Sequence, residues 1–172
     1  MKQAIYLITG VMASGKTTIS ECLASRIDRC VHVRGDVFRK MVVSGRSDMS
    51  DAPSDEAIRQ LYLRYRLAAE TAINYYSEGF SVVLQDNYYG DALSYMMERF
   101  EGCPVNVIVL CPNVETVRER ESRREKTGYT GFHVEGLYRE FMKTTPKIGL
   151  WLDTSDMTPD ESVDAILAHY AG

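Results

Sequence analysis

The chain has no basic surplus, no cysteine pairing pattern and no long apolar run. Lys and Arg number 20 against 24 Asp and Glu, a formal net charge of −4. A dedicated binder of nucleic-acid backbone needs the opposite sign, so that class is disfavoured. No apolar stretch approaches the roughly 20 residues that span a bilayer. The four cysteines, Cys22, Cys30, Cys103 and Cys111, show no C-x-x-C spacing. They read as reduced thiols of a cytoplasmic protein rather than as metal ligands or a disulfide framework. The three histidines, His32, His133 and His169, stand singly and suggest neither a metal site nor a triad. Met1-Lys2-Gln3 leads directly into an apolar strand pattern, with no signal peptide expected. Repeats and low-complexity tracts are absent too. What remains is 172 residues, 45% hydrophobic and 26% charged, the composition of a one-domain globular chain.

Against these absences stands one motif. Gly10-Val11-Met12-Ala13-Ser14-Gly15-Lys16-Thr17 meets the pattern G-x-x-x-x-G-K-[ST] at every fixed position. The apolar run Ala4-Ile5-Tyr6-Leu7-Ile8 precedes it, and Thr18-Ile19-Ser20-Glu21-Cys22-Leu23-Ala24 follows with apolar residues at helical spacing. Strand, glycine loop and helix in that order are the context the motif requires. Curled backbone would aim successive N–H groups inward as an anion nest, with the start of the helix adding its positive end. Lys16 is expected to reach the β- and γ-phosphates, and Thr17, followed by Thr18, to bring its hydroxyl to Mg²⁺. A flexible glycine-serine loop capping a helix would explain Ser14 and Gly15 but not the Lys16-Thr17 pair. The cofactors implied are ATP and Mg²⁺.

The rest of the chain alternates strand and helix patterns. Strands are expected at 3–9, 30–34, 80–85, 105–110 and 148–153. Helices are expected to about Ile27, over 36–43, 55–78 and 91–100, through the Arg-rich stretch 118–126, and over 134–143. In the helix at 55–78, Ile58, Leu61, Tyr65, Ala68, Ala72 and Tyr75 recur at three- or four-residue spacing. Thr158-Pro159-Asp160-Glu161 reads as a capping box that opens a last helix. Strands separated by helices imply an α/β fold, a parallel sheet covered on both faces. Ligands in such sheets sit at the carboxyl ends of the strands. That rule gathers Lys16, Asp36, Asp86 and Asp153 on one edge.

Asp36, after the second strand, is placed to accept or orient a proton from an attacking hydroxyl, and it can equally cap the helix that follows. Arg39, one turn on, is a candidate to hold an acceptor or a phosphate. Asp86 closes the third strand, where a Walker-B carboxylate would hold Mg²⁺, or where an acid could bind the acceptor. Gln85 beside it is expected to face the other side of the sheet. Arg120 and Arg124 share a helix face before the turn Gly128–Gly131. That pattern suits a lid over about 118–144 that brings cations to the transferred group, and equally suits an exposed helix laced with ion pairs. Tyr88 and Tyr89 can wall an acceptor pocket or simply join the core.

Together these residues resemble the small P-loop kinases, in particular the chloramphenicol phosphotransferase-like group. Gly35-Asp36-Val37-Phe38-Arg39 is similar to the Gly-Asp-x-x-Arg segment of adenylylsulfate kinases. Leu152-Asp153-Thr154-Ser155 is similar to the adenine-side loop of several such kinases. The resemblance implies a three-layer fold with a five-stranded parallel sheet in the order 2-3-1-4-5 and a helical lid. It implies Asp36 as catalytic base and a lid arginine, Arg120 or Arg124, on the phosphates. The expected activity is ATP-dependent phosphoryl transfer to a hydroxyl of a small molecule, a metabolite or an antibiotic. Two alternatives stand beside it: a kinase acting on a nucleoside, nucleotide or polynucleotide 5′-hydroxyl, and a regulatory nucleotide-hydrolysing switch.

Overall fold

In a computed structural model that describes residues 2–123 and 134–171, the expected alternation is present throughout. The elements are β1 (Ile5–Gly10), α1 (Lys16–Ser25), β2 (Cys30–Arg34), α2 (Asp36–Lys40), α3 (Asp55–Ser77), β3 (Ser81–Gln85), α4 (Asp91–Arg99), β4 (Val105–Leu110), α5 (Val114–Ser122), α6 (Val134–Thr144), β5 (Leu150–Leu152) and α7 (Pro159–Tyr170). The strands form one parallel sheet in the order β2-β3-β1-β4-β5. The registers Arg34↔Gln85 and Ile8↔Gln85 bring the carboxyl ends of β2, β3 and β1 level with one another.

Alternation along the strands divides the core into two. On one face Ile5, Leu7, Val82, Leu84, Val107 and Val109 pack against Tyr65, Ala68 and Ala72 of α3, with Phe100 and Phe141. On the other, Tyr6, Ile8, Val83, Ile108 and Leu110 meet Ile19 and Leu23 of α1 and Val163 and Ile166 of α7. Helices on both faces of a parallel sheet make the three layers. The two faces matter for function, because they decide which helix each residue at a strand end can reach.

Local signals explain the element ends. Ser54 caps α3 by accepting a hydrogen bond from the Ala57 N–H. At α7 the Thr158 hydroxyl accepts from the Glu161 N–H, and the Glu161 carboxylate accepts in return from the Thr158 N–H. Three expectations are corrected. α2 stops at Lys40 rather than Val43, because none of its residues is buried and Met41 and Val43 project into solvent. β5 spans only Leu150–Leu152, since the Ile148 N–H turns back to the Pro146 carbonyl instead of joining β4. α5 is described over Val114–Ser122 with Arg123 at its C-cap, and the expected continuation to Lys126 lies outside the described residues. The apolar stripe of α3 is narrower than its periodicity suggested: Ile58 and Tyr75 are exposed, while Arg64 lies buried beside Tyr65.

Candidate functional site

The glycine motif forms the turn from β1 into α1. Gly10 and Gly15 have φ of 154° and 92°, and Ala13 joins them in the left-handed region at 56°. A side chain at Gly10 would put its Cβ 2.5 Å from the Leu110 carbonyl oxygen, so only glycine fits against β4. Ser14 is fully buried inside the loop. Lys16 Nζ folds back over the loop, 2.8 Å from the Gly10 carbonyl oxygen and 2.6 Å from that of Val11. Curled backbone, a helix start and a lysine at its mouth make a place for phosphate oxygens.

Gln85 joins this loop to the rest of the site. Residues 83 and 85 share a strand face, the one that meets α1. Gln85 Nε2 donates to Thr17 Oγ1 at 3.0 Å, and Gln85 Oε1 is buried without a hydrogen-bond partner. The main chain of the same residue faces the opposite neighbour: its carbonyl accepts from the Gly35 N–H at 3.0 Å. Gln85 therefore holds the hydroxyl of the phosphate loop with its side chain and the start of the Asp36 segment with its backbone.

Asp86 serves a different contact. Arg64 Nη2, from α3, lies 2.5 Å from Asp86 Oδ1, and the Asn87 N–H also donates to that oxygen at 2.7 Å. The two side chains are 9% and 5% exposed. Burial pushes the Asp86 carboxyl upward, against the opposing pull of Arg64, the Asn87 N–H and Lys16, and the net direction is up. Its other oxygen presses on Gly35, where an added Cβ would lie 2.0 Å away. Of the two residues closing β3, Gln85 touches Thr17 and Asp86 faces Arg64.

Asp36 is the first residue of α2, and Gly35 takes the cap position with no side-chain cap. The capping role expected as an alternative for Asp36 is thus corrected. Its carboxylate instead lies 2.9 Å from Lys40 Nζ and 3.7 Å from Arg34 Nε. Burial pulls the carboxyl upward, but the Lys40 hydrogen bond and the charges of Lys40, Arg34 and Arg64 outweigh it, leaving it below its ordinary value. Arg39 Nη1 holds Asp48 Oδ1 at 2.8 Å, which fastens the loop between α2 and α3.

Arg120 docks on the phosphate loop. Its Nη1 donates to the Ser14 carbonyl at 3.4 Å, and its Nη2 to the Thr154 carbonyl at 3.0 Å. One side chain thus touches both the glycine loop and the segment after β5. Arg118 links α5 to α6 through Glu135 at 2.5 Å, and Arg123 pairs with Glu119. Arg124 and the turn Gly128–Gly131 lie outside the described residues.

Tyr88 does not wall an open pocket. It is fully buried, its ring 5.0 Å from that of Tyr65, and Thr9 Oγ1 accepts from its N–H at 2.9 Å. Its position one residue past Asn87 belongs to the α3 face of the core. Sequence reasoning also missed Arg64. The available signal was a cation at the spacing of Leu61 and Ala68, on the helix face that periodicity assigns to the core.

Among the described residues no group of three or more His, Cys, Asp or Glu could hold a metal by itself, and no helix is long and apolar enough to cross a membrane. A cation here would take its ligands mainly from phosphate and water, as Mg²⁺ does. The Thr17 hydroxyl and the partnerless Gln85 oxygen beside it fit that arrangement.

No curated protein matches the sequence. Solved structures resemble it in fold at low identity. A sugar kinase from Janibacter sp. HTCC2649 is 18% identical with a TM-score of 0.72, covering 99% of this chain and 95% of that one. The tunicamycin resistance protein of Deinococcus radiodurans is 16% identical at 0.72, with coverages of 97% and 95%. An APS kinase from Mycobacterium tuberculosis is 13% identical at 0.66, with 99% of each chain covered. The five-stranded sheet with its glycine loop is therefore a P-loop kinase-like fold. Residues 5–144 match the model of the AAA domain family, and the chain belongs to that family.

Proposed function

We propose that this chain is a cytoplasmic, ATP-dependent kinase that moves the γ-phosphoryl group to a hydroxyl of a small molecule, a metabolite or an antibiotic. The observation that carries the reading is the double use of Gln85. Its side chain holds Thr17 and its carbonyl holds Gly35, so a phosphate loop and an ionised aspartate share one strand end. Phosphoryl transfer needs donor and acceptor held in line with little covalent work left to the protein, and a phosphate loop and an acid tied to one strand end support that role.

In this reading the N–H groups of residues 10–18 and the start of α1 hold the β- and γ-phosphates. Lys16 leaves the Gly10 and Val11 carbonyls and turns to those phosphates. The Thr17 hydroxyl would hold Mg²⁺, which would supply charge neutralisation at the phosphate oxygens. Arg120, docked on the Ser14 carbonyl, supplies positive charge beside the migrating group. Asp36 accepts a hydrogen bond from the acceptor hydroxyl and takes its proton as the new bond forms. Lys40 and Arg34 keep that carboxylate ionised. Arg39 and the loop it fastens border the acceptor. The resemblance to the chloramphenicol phosphotransferase-like group and the fold shared with a sugar kinase and a tunicamycin resistance protein support a hydroxyl-bearing small acceptor.

The test is a screen of hydroxyl-bearing metabolites, nucleosides and antibiotics with ATP, read by mass spectrometry for phosphate gain. With an acceptor in hand, Asp36→Asn lowers turnover by about 10²–10⁴-fold while ATP affinity stays nearly unchanged. Turnover equal to the parent in that variant removes Asp36 as the base.

A further inference from the structure

We propose that Gln85 is a neutral positioning residue for the divalent cation that accompanies the nucleotide, and that it takes the place a strand-end carboxylate would otherwise fill. The proposal rests on the nucleotide reading above and deepens it. Three observations lead to it. Gln85 is 6% exposed, and its only side-chain hydrogen bond among the described residues is the one to Thr17 Oγ1. Its second polar atom, Oε1, is buried with no partner. Asp86, the one acid at this strand end, gives Oδ1 to Arg64 and the Asn87 N–H on the α3 side of the sheet, while its partnerless Oδ2 is buried against Gly35 rather than beside Thr17.

Hydroxyl chemistry gives the amide its task. A threonine oxygen that offers a lone pair to a cation must send its own proton to an acceptor. In the structure the amide N–H₂ faces Thr17. A half-turn of the amide brings Oε1 into the same place, and Oε1 accepts that proton. Glutamine suits both conditions, donating to the bare hydroxyl and accepting from the metal-bound one. It adds no negative charge beside the phosphates. The cation then depends on the nucleotide for its anionic ligands.

The experiment is calorimetric titration with a non-hydrolysable ATP analogue, with Mg²⁺ and with chelator in its place. Its readout is the ratio of the two dissociation constants. In Gln85→Glu a carboxylate of the same reach repels bare phosphates and attracts the cation, so the ratio rises by about tenfold or more. In Gln85→Leu the Thr17 hydroxyl loses its acceptor and the ratio falls toward one. Asp86→Asn keeps the parent ratio; if that variant fails to fold, the uncharged pair Arg64→Gln with Asp86→Asn replaces it. Thermal melts check that each variant is folded. Equal ratios in the parent and both Gln85 variants overturn the proposal, as does a ratio that moves only with Asp86. A loss of affinity in Gln85→Leu that is the same with and without Mg²⁺ shows a purely structural role and also overturns it. A parent that binds the analogue in neither condition fails at the nucleotide reading itself.

Discussion

The phosphate loop and the region facing it are built by different means. Residues 10–18 are contiguous, and their function lies in backbone: left-handed φ at Gly10, Ala13 and Gly15, and N–H groups at the start of α1. The facing region has no such run. Gly35 and Asp36 come from the end of β2, Arg64 from the middle of α3, and Gln85 and Asp86 from the end of β3. Side chains and the Gly35–Gln85 main-chain bond hold these together, and the pair at the centre is ionic and buried. A backbone site tolerates most side-chain changes at its variable positions. A site made of interlocked side chains does not, because each partner has been taken out of water for the sake of the other.

That contrast can be broken first at Lys16 of the loop. On the proposed reading, Lys16→Ala removes the cation that balances the β- and γ-phosphates. Nucleotide affinity falls on the order of 100-fold, and turnover falls further, while the melting temperature barely moves. Titration calorimetry beside a thermal melt separates these outcomes. Full ATP affinity in the variant would sink the phosphate-loop assignment.

The facing region should show the reverse pattern, stability lost first. Asp86→Ala leaves Arg64 buried without its carboxylate and costs about 3–5 kcal/mol in denaturant unfolding. A loss under about 1 kcal/mol would mean that water reaches the pair in solution. Gly35→Ala is a smaller version of the same break. The backbone at Gly35 is ordinary, with φ of −61°, so the difficulty is space alone. The new Cβ would lie 2.0 Å from Asp86 Oδ2 and 2.6 Å from its Cγ, forcing the whole side chain to move. A destabilisation of about 1–3 kcal/mol is expected.

The smallest effect is in pH. The Asp36 carboxyl is lowered from 3.8, so the group is ionised throughout the neutral range. Its contribution to stability is present above that value and is lost as pH falls through the lower folded value. The acid limb that Asp36 imposes on turnover therefore also lies below 3.8. A rate profile whose acid limb sits near pH 6 would place the essential base elsewhere.

Several of these features were open to reading from the chain. Strand patterns, the glycine loop and the Thr158–Glu161 capping box are local, each set by residues within one turn or one strand of each other. Strand order followed from the resemblance to P-loop kinases, and the observed sheet has it. Arg120 was named with Arg124 as a candidate, and the structure docks it on Ser14 and Thr154, 106 and 34 residues away. Tyr88 is open to both readings, pocket wall or core, because its position after β3 does not tell an outward ring from a core ring; the structure puts it in the core. Arg64 was passed over because a cation in a helix is usually at the surface.

Gln85 and Asp86 show the division most clearly. Alternation in a strand requires two neighbouring residues to face opposite sides, and the amino-acid order is enough to know that. Which side carries α1 with Thr17, and which carries α3 with Arg64, depends on how the helices cross over the sheet. Local chemistry along the chain determined that residues 10–18 form the glycine loop and helix start between β1 and α1. Long-range packing decided what that loop would face, since partners 22 and 68 residues apart meet only once the sheet has closed between its helices.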